Sequence, residues 1–282
     1  MNKKVELRDH VAGAIYGFVI GDSVGATTEF MTADQIKAQY GEVTKQLGGG
    51  WLNLEPGEVT DDTQMMMCVI DALMKHYEND VDTFKHACAL NFSKWLMTDP
   101  IDVGNICRNG IGYYVAYGEF VKRDEDSLGN GSLMRYLPCA LMQYVTGDSK
   151  YQEFNIAQGE ITHNSSLCAS LIRKTSKALF ECLMGKYPSK DFEGFRSNLM
   201  TPSGCITNTF NNAMSHATKD TFRETLVESV NNGGDADTIA AIACSLAGAK
   251  CGLSGIDPRL IGVLDIEVKK KLEAFINFIV SV

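Results

Sequence analysis

Asn231-Asn232-Gly233-Gly234-Asp235-Ala236-Asp237-Thr238 runs directly into Ile239-Ala240-Ala241-Ile242-Ala243-Cys244-Ser245-Leu246-Ala247-Gly248-Ala249. The two glycines let the backbone turn tightly. Two carboxylates and a hydroxyl follow within four residues, and then a helix of small apolar side chains. Polar groups at a helix start cap free backbone N–H groups, and the helix dipole favours a carboxylate there. Capping takes one such group, whereas Asp235, Asp237 and Thr238 offer three. The run behind them is apolar enough to be buried, so the acidic cluster is expected at a buried helix end. Carboxylates gathered in a dry place repel unless a cation compensates them. On this stretch alone, capping and a metal site are equally admissible.

The same device occurs earlier. Gly57-Glu58-Val59-Thr60-Asp61-Asp62-Thr63-Gln64 leads into Met65, Met66, Val69, Ile70 and Leu73, which recur at helical spacing. Adjacent Asp61 and Asp62 point to different sides of a helix start, so one cap cannot account for both. Two acidic helix starts in one chain shift the reading toward metal.

The remaining segments also read as helices. Leu7, Val11, Ala14, Ile15, Phe18 and Val19 predict a first helix over about residues 6–20, ended by the glycine- and oxygen-rich Gly21–Glu29. Taken singly, Asp22 and Glu29 read as solvated loop carboxylates. A helix over 80–97 carries Phe84, Cys88, Phe92 and Trp95 and stops at the turn-rich Thr98–Asn105. Gly118–Asp126 is charged and expected to be exposed. Gly129-Asn130-Gly131-Ser132-Leu133-Met134-Arg135 opens a segment interrupted by Pro138. A turn of this kind entering a helix presents successive N–H groups suited to a phosphate, although no Walker lysine follows. Thr162-His163 precedes another helix, and His163 by itself reads as a cap or surface residue. Residues 185–204 resemble an exposed excursion. Helices around Phe210–Met214 and Phe222–Val230 and an amphipathic tail from Ile261 to Val282 complete the chain. No confident strand, repeat or low-complexity linker is visible, so residues 1–282 are expected to form one all-α domain.

Composition narrows the function. Of 282 residues, 45% are apolar and 22% charged, as in ordinary globular proteins. A formal charge of -9 argues against a nucleic-acid partner. The nine cysteines show no C-x-x-C spacing, and the polar start shows no signal peptide, which suits reduced core thiols in a cytoplasm. No apolar run is long enough to span a membrane.

The candidate ligands Glu29, Thr60, Asp61, Asp62, Asp235, Asp237 and Thr238 all offer oxygen, with no Cys or His at ligand spacing. A hard cation follows: Mg²⁺, Mn²⁺ or Ca²⁺. Five carboxylates call for more than one ion, since two divalent cations would nearly neutralise them. Counted from Asp235 as an EF-hand loop, the sixth position is Ala240 and the twelfth Leu246, which excludes that motif.

Gly21-Asp22…Gly25…Glu29, Thr60-Asp61-Asp62-Thr63, Gly129-Asn130-Gly131…Met134-Arg135, Thr162-His163 and Gly233-Gly234-Asp235-Ala236-Asp237-Thr238 together resemble the ADP-ribosylglycohydrolase family, in its order and spacing, over about residues 9–255. Pro100–Gly104 with Cys107–Ile111 looks most like its bacterial branch that removes ADP-ribose from an arginine of dinitrogenase reductase. The resemblance implies an all-α fold and a dinuclear Mg²⁺ or Mn²⁺ centre held by the seven ligands above. It makes Asp61, Asp62 and Asp102 the catalytic carboxylates, with Asp102 as acid/base beside the scissile bond. It places Gly104, Asn130, Gly131, Ser132 and His163 in the substrate cleft, with Gly131 and Ser132 along the diphosphate. An ADP-ribosylated protein would be the substrate and ADP-ribose the product. Cys205 departs from the pattern, since relatives often carry there an aromatic that stacks on adenine.

Three readings stand side by side: hydrolysis of ADP-ribosyl-arginine, hydrolysis of another linkage such as ADP-ribosyl-serine or O-acetyl-ADP-ribose, and a non-catalytic binding or structural relative. A retired site has no physical reason to keep five carboxylates, which speaks against the third.

Overall fold

The computed structural model describes residues 3–189 and 199–282, and the middle of the excursion expected over 185–204 lies outside them. Among the described residues there are thirteen α-helices, a short 3-10 turn and no sheet. The all-α expectation therefore holds.

The centre is an antiparallel pair, α1 (Lys3–Gly25) and α11 (Ala236–Cys251). Every residue of α11 from Ala236 to Ala249 is buried. What allows so close an approach is a four-residue repeat of small side chains on both helices. A Cβ placed on Gly25 would lie 2.5 Å from the Ala236 carbonyl oxygen. Those placed on Gly21, Gly17 and Gly13 would press still closer on Ala240, Cys244 and Gly248 in turn. Small residues four apart let two helix backbones touch. This corrects the first helix boundary: the chain does not break at Gly21 but stays helical to Gly25, because its glycines serve packing rather than turning.

Around this pair, α3 (Asp61–His76), α4 (Val81–Leu96), α6 (Leu137–Thr146), α8 (Ser166–Leu183), α9 (Ile206–His216), α10 (Phe222–Asn231) and α13 (Ile266–Ile279) contribute to one continuous apolar core. Pro138 does not interrupt a segment. It occupies the first turn of α6, where its missing N–H is no loss. Three helices were not evident in the sequence: α2 (Ala33–Tyr40), α5 (Asn105–Tyr117) and α7 (Lys150–Glu160). α5 begins at Gly104 with no side-chain cap, and α7 at Ser149, whose side chain caps nothing. The last short helix is α12 (Pro258–Val263). All nine cysteines are unpaired thiols, and no described helix is long and apolar enough to cross a membrane.

Candidate metal centre and substrate cleft

Three chain segments are tied together where α1 ends and α3 and α11 begin. Fully buried Asp22, near the C-terminal end of α1, accepts from Thr60 Oγ1 at 2.8 Å and from the Thr63 amide at 3.1 Å. It thereby clamps the N-terminus of α3. Thr60 completes the start of α3 as its cap, its hydroxyl accepting from the Asp62 amide at 3.3 Å. Beyond α1, the Phe30 amide donates to Gly234 O at 2.6 Å and the Gly234 amide to Met31 O at 2.8 Å. Gly234 has φ of 67°, and a Cβ there would also meet Pro202, so only glycine fits. These bonds set Glu29 against Asp235.

The result is a cleft of about 410 Å³. Glu29, Asp61, Asp62, Asp235, Asp237 and Thr238 line its acidic part. All six are buried, so the solvated-loop reading of Glu29 fails, and so does that of Asp22. Asp235 stands at the N-cap position of α11 but caps nothing with its side chain. It accepts instead from Asn130 Nδ2 at 2.5 Å. Capping, one of the two readings of this stretch, is not what its carboxylates do. Half-buried Asp102 joins the cluster, since carboxylate oxygens of Glu29, Asp102 and Asp237 all lie within 4.8 Å of one another. Asp102 and Asp61 are close enough to share a proton, and the Gly104 amide points at Asp61 Oδ2 at 3.4 Å.

This arrangement asks for a cation. Among the described residues, no lysine or arginine lines the cleft, and buried Asp62 Oδ2 and Asp237 Oδ1 have no hydrogen-bond partner. Burial, reinforced by the neighbouring carboxylates, pushes Asp61, Asp62 and Asp237 well above the usual range. Glu29 is pushed up to about 9 by burial, despite the indole N–H of Trp51 donating to it at 2.5 Å, with Asp102, Asp235 and Asp61 adding their charge. Asp235 rises to about 6, chiefly through burial, with the Asn130 hydrogen bond opposing. An all-oxygen donor set with orphaned carboxylate oxygens fits a hard divalent cation.

The other end of the cleft is built differently. Gly129, Asn130, Gly131 and His163 line it, with Gly104 on the facing α5 side. The Gly-Asn-Gly turn does not lead straight into a helix. Leu133 and Met134 amides fold back on Asn130 O, and α6 starts only at Leu137. The amides of Gly131 and Ser132 donate to no acceptor among the described residues. The glycines are there for space: a Cβ on Gly129 would lie 2.9 Å from His163 Nε2, and one on Gly131 would lie 2.7 Å from His163 Cε1. His163 is buried, not a surface residue. Its pKa is lowered to about 3, by burial first and then by Arg135. Thr162 Oγ1 lies 2.7 Å from His163 Nδ1 and accepts from Arg135 Nη2 at 2.7 Å. A hydroxyl polarised by that guanidinium is the natural donor to Nδ1, which assigns Nε2 as the N–H of a neutral ring.

Two sequence-predicted residues do not line the cleft. Thr60 spends its hydroxyl on Asp22 and the Asp62 amide, and Ser132 is fully buried behind its loop against Gly159. Two residues were missed as functional. Asp22 reads as a loop acid until α1 is seen to continue through it. Arg135 sits within a quoted motif, but its complete burial has no sequence signal. Cys205 pairs its backbone with Gly129 through an isolated bridge, which brings it to the rim of the same loop.

Comparison with known proteins agrees with this geometry. The ADP-ribosylglycohydrolase family profile matches residues 3–173 and 167–281. An ADP-ribosyl-[dinitrogen reductase] glycohydrolase of Rhodospirillum rubrum is 34% identical over 98% of this chain and 97% of its own. An ADP-ribosylarginine hydrolase of Pseudomonas putida is 27% identical over 90% of this chain and 73% of its own. A solved ADP-ribosylglycohydrolase-related protein complex superposes with a TM-score of 0.82 at 26% identity, covering 98% of this chain and 99% of that one. With both its profile and its fold accounted for nearly end to end, the chain belongs to the ADP-ribosylglycohydrolase family and is a hydrolase of that family.

Proposed function

We propose that the protein removes ADP-ribose from arginine side chains of modified proteins, with two Mg²⁺ or Mn²⁺ ions as cofactors. The observation that carries this reading is a cleft with two unlike ends. One holds buried carboxylates that meet no basic side chain among the described residues, and the other holds the Gly131 amide and a neutral histidine. The names of the two relatives above, one acting on dinitrogen reductase and one on ADP-ribosylarginine, support the linkage. Residues 1–282 form a single family-type unit, supported by the continuous core.

Glu29, Asp61, Asp62, Asp235, Asp237 and Thr238 would hold the ions, with Thr60 as the cap of the helix that carries Asp61 and Asp62. Bound there, divalent ions would orient ribose hydroxyls and lower the pKa of a water. The chain's own residues do the rest. The Gly131 amide and the His163 Nε2–H bind the diphosphate, with Asn130 holding the loop to Asp235. Cleavage at the anomeric carbon develops positive charge that the surrounding carboxylates stabilise. Asp102 carries a proton to the departing guanidine. Its pKa is raised by burial, and its neighbour Asp61 is placed to share that proton. Asp22 acts through Thr60 and α3 as a positioning residue. A formal net charge of -9 makes nucleic acid an unsuitable partner, and nine free thiols suit a cytoplasmic setting.

The test is incubation with ADP-ribosyl-arginine and ADP-ribosyl-serine peptides, with and without Mg²⁺ or Mn²⁺, following released ADP-ribose. Metal-dependent release from arginine, with little from serine, is expected. Preferential release from serine would move the protein to another linkage.

A further inference from the structure

Phe30 follows Glu29 directly and has φ of 61°, the left-handed region that bulky side chains ordinarily avoid. The two backbone bonds to Gly234 hold it there, tied to the turn that carries Asp235. What this strained conformation achieves is not burial. Phe30 remains 65% exposed while lining the carboxylate cleft. Beside it stands Trp51, 53% exposed, with ring centroids 5.2 Å apart and planes tilted by 52°. The indole N–H is anchored on Glu29 Oε2. Two aromatic side chains are thus held at the acidic end of the cleft with more than half of each open, one of them at the cost of backbone strain. Strain of this kind persists where surrounding structure enforces it, and it concentrates at ligand sites.

The chemistry of the wall narrows what the rings would receive. Among the described residues that line the cleft there is no basic side chain to hold a phosphate beside them. With the carboxylates engaged by the divalent ions proposed above, what favours a planar cation here is the pair of open aromatic faces, on which guanidinium groups stack. Asn130 ties the loop proposed for the diphosphate to Asp235, whereas Trp51 is anchored on Glu29, so the rings are assigned to the end of the substrate that bears the modified side chain. We propose that Phe30 and Trp51 form a platform for the guanidinium of the ADP-ribosylated arginine and are specificity-determining residues of this enzyme. The inference rests on the arginine-linkage reading above. A serine linkage, which has no cation, gains nothing from the platform.

Phe30→Gly removes the ring and accepts the positive φ without strain, so it tests the platform without threatening the fold. Phe30→Tyr keeps an aromatic face. Wild type and both variants are compared for kcat and KM on an ADP-ribosyl-arginine peptide with Mn²⁺, and for ADP-ribose affinity by calorimetry. For Phe30→Gly, KM is expected to rise by about 3- to 30-fold with kcat and ADP-ribose affinity nearly unchanged, the scale of a cation–π contact. Phe30→Tyr is expected to stay close to wild type. An unchanged KM in Phe30→Gly, an equal loss of ADP-ribose affinity, or a Phe30→Tyr as impaired as Phe30→Gly would overturn the platform while leaving the arginine reading intact. A wild type that binds ADP-ribose but releases none from the arginine peptide would overturn that reading and the platform with it.

Discussion

Carboxylates at the start of α3 and α11 and the guanidinium of Arg135 are both taken out of water, the first in the cleft and the second in the core, yet the protein treats them in opposite ways. Arg135 is fully buried and satisfied from within. It donates to Gln158 Oε1 at 2.6 Å, to Gln158 O at 3.0 Å and to Thr162 Oγ1 at 2.7 Å, and it lies over the Phe92 ring at 4.6 Å. The carboxylates face one another, and Asp62 and Asp237 each keep an oxygen with no partner among the described residues. A buried charge costs several kcal/mol unless its hydrogen-bonding capacity is met. Arg135 is met by protein, and is therefore structural. The acidic end is met by no such set of protein donors among the described residues, which is what supports the metal site proposed there.

The largest effect should come from dismantling the acidic end. Asp61→Ala or Asp235→Ala is expected to abolish release of ADP-ribose and to weaken divalent-metal binding measured by calorimetry. Near-normal turnover in both would remove the proposed site. Next come two neutralisations that should act with opposite sign on stability. Arg135→Met strands Gln158 and Thr162 and should lower stability by about 3 kcal/mol or more. Asp237→Asn relieves repulsion and should leave the metal-free protein unchanged or more stable by about 1 kcal/mol, while costing activity. Denaturant titrations of both without metal decide the matter, and equal destabilisation would erase the contrast between the two regions.

Asp102→Asn keeps the side chain's size and removes its acid. A loss in kcat of about 10²-fold on the arginine substrate is expected, with ADP-ribose affinity preserved. An unchanged kcat would reduce Asp102 to a residue of the turn before α5.

The gentlest prediction concerns pH. Glu29 and Asp235 hold their protons to about 9 and about 6 in the folded protein, above the ordinary carboxylate range. The folded state then binds more protons than the unfolded one in this window, so the stability linked to these groups is complete below about pH 4 and is lost as pH rises through those values. Melting of metal-free protein should therefore fall from pH 5 toward pH 9. A divalent cation, whose ligands must be deprotonated, should act in the opposite sense and restore about 2.7 kcal/mol at a hundredfold excess over Kd. Melting curves with chelator and with Mn²⁺ across that range test it, and a flat metal-free profile would show that the carboxylates are not coupled as described.

Several features could be read from residues alone because they depend on local pattern. The period of Met65, Met66, Val69, Ile70 and Leu73 makes α3 a helix whatever surrounds it. Clustering of Asp61 with Asp62 and of Asp235 with Asp237 marks a chemistry that capping cannot use up. Glu29, Asp102, Asn130, Gly131 and His163 were legible as members of one cleft only through resemblance, since they stand far apart in the chain.

What tertiary structure decided was the meaning of residues whose local signal is ambiguous. Glycines at 13, 17, 21 and 25 look alike whether they break a helix or pack one, and only α11 lying across them settles that they pack. The same contact turns Asp22 from a loop acid into the clamp on α3, and it sets Glu29 beside Asp235. Arg135 and His163 are polar in any sequence-based reading, and their burial follows from which helices enclose them. Likewise the positive φ of Phe30 follows from the backbone bonds that Phe30 and Met31 make to Gly234, some two hundred residues away. The sequence by itself determined helix period and donor chemistry, because these are written in neighbouring residues. Burial, pairing and strain arise between segments, and a one-dimensional pattern carries no record of which segments will meet.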